Sequence, residues 1–161
     1  MKKFFYLSII ALCFTACGPE PPETPIFSVK YYNADEQLVA LKNGQTIEIS
    51  TFDESFLPTK KLLFKGMIYS EESFNLEVTT TREVLEGTSD EFCAGAGLEG
   101  KCIPGNGEKA QNFNFDINTD ETPFYAHFDA ENLSDYKIIY NFHEKEKPSV
   151  KISVTVIYKC Y

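Results

Sequence analysis

Ser149-Val150-Lys151-Ile152-Ser153-Val154-Thr155-Val156-Ile157-Tyr158-Lys159 is the stretch from which the fold class can be read. Val150, Ile152, Val154, Val156 and Tyr158 fall on one side of an extended chain, and Lys151, Ser153, Thr155 and Lys159 fall on the other. Successive side chains of a strand point to opposite faces, so this period of two predicts a strand with one buried face. Glu144 to Ser149, charged and containing Pro148, reads as the turn that precedes it.

The same period recurs toward the N-terminus. Tyr136, Ile138, Tyr140 and Phe142 alternate with polar neighbours, as do Phe124, Ala126 and Phe128, and Phe113, Phe115 and Ile117. Leu62 to Tyr69 and Phe74 to Arg82 give two longer strands, and Phe27, Val29 and Tyr31 a first one. Leu38 to Leu41 and Thr46 to Ser50 flank Asn43-Gly44, a pair that supplies the positive φ angles of a tight turn, and so predict a hairpin. No segment keeps a helical period over three turns. The expectation is an all-β domain over residues 26–161: an immunoglobulin-like antiparallel β-sandwich of seven to nine strands, with a small β-barrel as the alternative. The chain carries no Trp, which excludes the antibody-type Cys-Trp-Cys arrangement.

The N-terminus reads differently. Lys2 and Lys3 precede an apolar run from Phe4 to Phe14, shorter than the roughly 20 residues that span a bilayer. Phe14-Thr15-Ala16-Cys17-Gly18 follows and resembles a bacterial lipobox. The resemblance implies a signal peptide over residues 1–16, cleaved so that Cys17 becomes the acylated first residue. Several acyl chains hold a protein firmly on a membrane. Gly18 stands where an aspartate commonly retains lipoproteins at the inner membrane, so outer-membrane anchoring is expected, on either the periplasmic or the cell-surface face. Residues 17–25 then form a tether: four prolines between Gly18 and Pro25 favour extended chain of about 3 Å per residue, unless the segment is a disordered leader without a spacing role.

Loss of residues 1–16 leaves 13 basic and 24 acidic residues, a net charge of −11. Such a surface repels nucleic acid. Export to an oxidising compartment favours pairing of nearby thiols. Cys93 and Cys102 enclose the glycine-rich loop Ala94-Gly95-Ala96-Gly97-Leu98-Glu99-Gly100-Lys101, and a disulfide between them is expected to contribute about 2 to 3 kcal/mol. Metal binding is the alternative for this loop, but it holds no His and no second cysteine pair at zinc spacing, so no metal ligand is assigned. Cys160 shares the parity of Val150 through Tyr158 and is expected to be a buried free thiol; pairing with Cys93, Cys102 or another chain stays open.

Other motif-like strings lack the context their chemistry needs. Gly95-Ala96-Gly97-Leu98-Glu99-Gly100 matches a dinucleotide fingerprint as a string, but Cys102 and Pro104 follow where a helix is required. Asp116, Asn118 and Asp120 begin like a calcium loop, yet Glu121 occupies the glycine position. His127 and His143 lie opposite Phe128 and Phe142 in parity and are expected at the surface, with a haem or metal contact near Tyr125 as the alternative. No serine sits in a nucleophile elbow. No catalytic residue and no cofactor are assigned, and an enzyme is not expected.

From Leu63 to Lys159 the chain resembles an immunoglobulin-like module of Bacteroidota exported proteins. The carrying features are Asn75-Leu76-Glu77-Val78-Thr79-Thr80-Thr81-Arg82, Ser89-Asp90-Glu91-Phe92-Cys93 with Cys102 behind it, Phe124-Tyr125-Ala126-His127-Phe128, Ile138-Ile139-Tyr140-Asn141-Phe142 and Ser149 to Val156. The resemblance implies a surface- or periplasm-facing sandwich with a disulfide-braced loop, and it carries over no catalytic residue. Ala94 stands where that module often has Trp, so no ligand is inferred from the loop. The function expected is a non-enzymatic protein-interaction or envelope-structural module with a protein partner. The alternative is capture of a sugar, haem or metal for a transporter.

Overall fold

Alternating apolar residues that must leave water together have one economical solution, two sheets laid face to face. A computed structural model describes residues 23–50, 52–53, 61–84, 86–95, 100–118 and 120–161. The expected signal peptide, Cys17 and most of the tether lie outside the described residues. The strands are β1 (Phe27–Tyr32), β2 (Leu38–Ala40), β3 (Gln45–Ile49), β4 (Phe52–Asp53), β5 (Lys61–Ser70), β6 (Phe74–Arg82), β7 (Thr88–Ala94), β8 (Lys101–Pro104), β9 (Ala110–Ile117), β10 (Glu121–Ala130), β11 (Asp135–Glu144) and β12 (Lys151–Lys159). The first sheet runs β2-β1-β5-β10-β7-β8, with β4 also paired to β5; the second runs β3-β12-β11-β6-β9. The fold is an immunoglobulin-like β-sandwich. Its strands exceed the expected seven to nine by β4, β7 and β8: β4 and β8 are too short to leave a clear alternation in sequence, and β7, Thr88-Ser89-Asp90-Glu91-Phe92-Cys93-Ala94, has none.

One expectation is corrected. Asn43-Gly44 makes the predicted turn, with Gly44 at φ 77° and Gln45 N donating to Lys42 O at 3.0 Å. The turn joins two sheets, however, and not two paired strands. β2 pairs with β1, whereas β3 pairs with β12 in parallel, Thr46 opposite Thr155 and Ile47 opposite Val156. The turn docks on β12 on both sides of Ser153: Gly44 N donates to Ser153 O at 2.7 Å, and Ser153 N donates to Asn43 Oδ1 at 2.8 Å. These bonds pull the chain across to the second sheet and account for the one parallel ladder among otherwise antiparallel pairs of described residues.

The inner faces are aromatic. Leu62, Phe64 and Ile68 of β5, Phe124 and Phe128 of β10 and Phe92 of β7 meet Leu76, Val78, Phe113, Tyr140, Phe142, Val154 and Val156 of the facing sheet, all buried. Phe92 is central: its ring contacts those of Phe113, Phe115, Phe124, Tyr140 and Phe142, with centroids 5.7 to 6.0 Å apart. Gly66 occupies an inward position of β5 because a Cβ there would lie 2.7 Å from the Phe124 ring and would also meet the Lys30 carbonyl. The ring takes the place a side chain would fill.

Two polar pairs are satisfied in this apolar layer, one across the two sheets and one within the second. Arg82 of β6, 2% exposed, meets Asp90 of β7: Nε lies 3.0 Å from both carboxylate oxygens and Nη2 lies 2.5 Å from Oδ2. Nη1 donates to Glu108 O at 3.1 Å, so the guanidinium is forked between the partner sheet and the β8–β9 connection. Tyr140 and Tyr158 share a hydrogen bond of 2.8 Å between their buried hydroxyls. Burial pushes both phenols well above their ordinary value of 10.0.

Truncating Phe92 to Ala empties the space between five rings and is expected to cost about 3 to 5 kcal/mol in denaturant unfolding. A loss below about 1 kcal/mol would mean that the layer rearranges around the gap. The tyrosines set a pH limit. Their stabilisation is complete below the unfolded phenol value near 10 and falls as pH rises above it, because only the unfolded chain ionises readily. Thermal melts between pH 9 and 12 should show the decline in the parent protein and a shallower one in Tyr158→Phe.

Candidate functional site

The pairing register of β5 leaves an interval at one edge. β1 pairs with β5 from Phe27 opposite Ser70 to Tyr31 opposite Gly66, and β4 joins it at Leu62 and Lys61. Between them, Leu63 to Lys65 have a described strand partner only on the β10 side. A cleft of about 400 Å³ opens there, between this edge and β3 of the facing sheet. Tyr31, Tyr32, Phe52, Leu63 and Ile49 supply its apolar wall, and Thr46, Glu48 and Ser50 its outer rim.

Charge is confined to the mouth. Lys65 Nζ sits 2.9 Å from Glu36 Oε2 and 5.3 Å from the Tyr32 ring centroid, a cation over an aromatic face. Glu36 adopts φ 56°, unusual for a residue with a side chain. The turn that holds it is built on Asn33, whose Oδ1 accepts from the backbone of Asp35 at 3.1 Å and of Gln37 at 2.8 Å. On the other wall Gln45 Nε2 donates to the Tyr31 hydroxyl at 3.1 Å and ties the edges of the two sheets together. The result is a half-buried aromatic slot with one ion pair at its entrance. It can hold an apolar group and orient it by a few polar contacts.

A second cluster lies on the outer face of the same sheet. Cys93 and Cys102 are joined by a disulfide, as expected, and occupy directly opposed positions of β7 and β8. The bond therefore clamps the edge hairpin of the sheet. It does not merely close a loop. Residues 96–99, and with them most of the glycine-rich string, lie outside the described residues, as does Thr119 in the calcium-like stretch. β10 brings His127 opposite Glu91, with Nδ1 3.1 Å from Oε1, and Tyr125 opposite Cys93. The sequence assigned no metal ligand here because the loop itself has no histidine. The imidazole arrives from a strand 34 positions from Cys93, through pairing that sequence order does not display.

Both histidine expectations are corrected. His127 is 7% exposed and His143 is 2% exposed. Each stands on the outward side of its sheet, as parity predicts, but on an interior strand with neighbours to either side. His127 is flanked in register by Leu63 and Glu91, and His143 by Glu77 and Lys151. His143 Nδ1 lies 2.9 Å from Glu144 O, and Nε2 lies 3.5 Å from Glu77 Oε2. Longer cross-strand neighbours cover a compact ring, so parity gives direction and not exposure.

Cys160 is a buried free thiol, 6% exposed, and burial raises its pKa, with Asp129 and Asp135 adding to the effect. The residues missed by sequence reading are those of the cleft. Its one legible signal is Tyr31-Tyr32, which places an aromatic on each face of β1 where it ends.

No known protein-family profile matches the chain, and no curated protein matches it in sequence. Solved structures do. The N-terminal domain of PorA superposes with a TM-score of 0.57 at 17% identity, covering 83% of this chain and 96% of that domain. A PapD-like domain of human CEP192 aligns at 8% identity and TM-score 0.41, over 97% of each chain. Similarity at the first of these levels establishes the sandwich fold and nothing of its chemistry.

Thiol counting tests the cysteine assignments together. In a chain with Cys13 and Cys17 replaced by Ser, no thiol should react rapidly with Ellman's reagent in the folded state. One should react in denaturant, and three in denaturant after reduction. Three before reduction would remove the disulfide.

Proposed function

We propose that this chain is a lipid-anchored envelope protein, acylated at Cys17 and held at the outer membrane, whose sandwich is a non-enzymatic protein-interaction module. The observation that carries the interaction reading is the cleft at the interrupted edge of β5. It combines an aromatic wall, backbone of a strand edge that has no partner on that side among the described residues and an ion pair at the mouth. An extended partner segment meets both needs there, strand-like hydrogen bonding at Leu63 to Lys65 and a pocket for one of its side chains. The lipobox-like Phe14-Thr15-Ala16-Cys17 supports the anchoring half of the reading.

A second reading, capture of a small ligand for a transporter, is favoured by the cleft's size. Its volume of about 400 Å³ falls within the range of about 300 to 1,000 Å³ usual for small-molecule sites. Three tyrosines or phenylalanines in its wall suit stacking on a flat or apolar ligand.

One cell-based experiment addresses both halves of the first reading. A photo-crosslinking residue at Tyr32 should yield a discrete adduct with an envelope protein, whereas one at Lys137, on the outer face of the opposite sheet, should not. Cys17→Ser should move the protein from the membrane to the soluble fraction. Equal adducts from both positions would remove the cleft from the account, and continued sedimentation of the Cys17→Ser protein with membranes would remove the anchor.

A further inference from the structure

Glu91, Cys93 and His127 each present one potential metal-ligating atom, and these atoms lie within 4.8 Å of one another. They come from two adjacent strands, β7 and β10, and all point to the outer face of the first sheet. Cys102, on β8, is bonded to Cys93. Four donor side chains of three chemical types, two sulfurs, an imidazole and a carboxylate, are thus gathered on three neighbouring strands. In the oxidised form the set is incomplete, since a disulfide sulfur is a poor ligand and the thiolate is the species that binds metal. We propose that the disulfide Cys93–Cys102 and a zinc-class divalent cation are alternative occupants of this position: reduction converts the disulfide-clamped hairpin into a metal site of two thiolates, one imidazole and one carboxylate.

The geometry fits with small adjustment. Tetrahedral zinc, with bonds of about 2.0 to 2.3 Å, places its ligand atoms about 3.3 to 3.8 Å from one another. The donor atoms of Glu91, Cys93 and His127 therefore need to close by about 1.5 Å at most, while the two sulfurs move apart once their bond is broken. The strands hold the required order: Cys102 opposes Cys93, Cys93 opposes Tyr125 and His127 opposes Glu91, so the ligands form a compact group across three paired strands. Thiolate and imidazole donors select zinc over magnesium and calcium.

The balance of the step is complete once a dithiol is supplied. A dithiol reductant, such as the active-site pair of an envelope thiol-disulfide oxidoreductase, attacks one sulfur through its thiolate. Cys102 is exposed and Cys93 is 5% exposed, so attack falls on Cys102 and Cys93 leaves as thiolate. The second thiol of the reductant resolves the mixed disulfide. Two electrons and two protons have then moved from the reductant to this chain, and the reductant is left as a disulfide. The cation displaces both thiol protons to solvent and binds two thiolates, neutral His127 and ionised Glu91, for a net charge of −1. Lys61, whose Nζ lies 4.0 Å from Glu91 Oε1, stands close enough to balance it.

Burial supports the assignment. His127 and Cys93 lie at the bottom of the cluster, and Glu91 is half-buried, so a bound ion is shielded on the sheet side and reached from the Cys102 side. The proposal is independent of the cleft, which lies on the opposite edge of β5, and it does not rest on the interaction reading.

Cobalt(II) is the probe, because a tetrahedral thiolate site gives it visible d–d bands and a sulfur-to-metal charge-transfer band. The full chain is purified in detergent with Cys13, Cys17 and Cys160 replaced by Ser, so that Cys93 and Cys102 are the only cysteines. After reduction and removal of the reductant, one equivalent of Co²⁺ should produce both band types, and Zn²⁺ should abolish them. The oxidised chain should produce neither. H127Q should weaken the reduced protein's affinity about 10-fold or more. Near-UV circular dichroism reports the fold, and C102S supplies a variant that cannot form the disulfide. In C102S the charge-transfer band should persist at lower intensity and still depend on His127. Absence of bands in the reduced parent overturns the proposal, as does a spectrum and affinity unchanged by H127Q. So does loss of the near-UV signal on reduction that Co²⁺ fails to restore.

Discussion

Everything in this molecule is arranged around the contact of two aromatic inner faces, with the Phe92 ring at its centre. Five rings surround it, drawn from both sheets, and none of them can be reached without the correct pairing of β7 with β10 and of β6 with β9 and β11. Rings of this size leave little freedom in the spacing of the sheets. Gly66 shows how tightly the fit is drawn, since Phe124 occupies the volume its side chain would need.

The polar groups inside that layer follow from the same constraint. Arg82 and Asp90 sit on facing sheets, and neither has access to enough water to stand alone. A buried ion pair adds little net stability over an apolar pair, but loss of either member leaves a charge without compensation. The pair therefore acts on the alignment of β6 with β7 more than on total stability. Tyr140 and Tyr158 do the same within the second sheet, each hydroxyl satisfying the other where no solvent reaches. With the interior committed to packing, the two candidate sites lie outside it: the tyrosine-lined cleft at the β5 edge and the cysteine-histidine cluster on the outer face of β7 and β10.

Much of the fold was legible in advance. The long strands β5, β6, β9, β10, β11 and β12 coincide closely with the alternating stretches, because burial of one face imposes the period directly on the chain. The disulfide and the inward-facing Cys160 were legible too, one by its short separation and one by parity. The candidate sites were largely not. Leu63 and Lys65 read only as the outer side of a strand, and nothing in their neighbours announces that β1 leaves β5 just beside them. Arg82 ends a strand whose parity places it inward, but its partner Asp90 lies beyond a turn and in the other sheet.

The difference lies in the range over which each property is encoded. Strand formation, the direction of each side chain, the Asn43-Gly44 turn and the pairing of two cysteines nine positions apart depend on residues close in the chain, and sequence alone determined them. Which strand lies beside which was decided only in the tertiary structure, because ladder hydrogen bonds join backbone groups that are alike at every residue and carry no address. The parallel docking of β3 on β12, the burial of His127 and His143, the opening at Leu63 to Lys65 and the meeting of His127 with Cys93 and Glu91 all follow from such pairing.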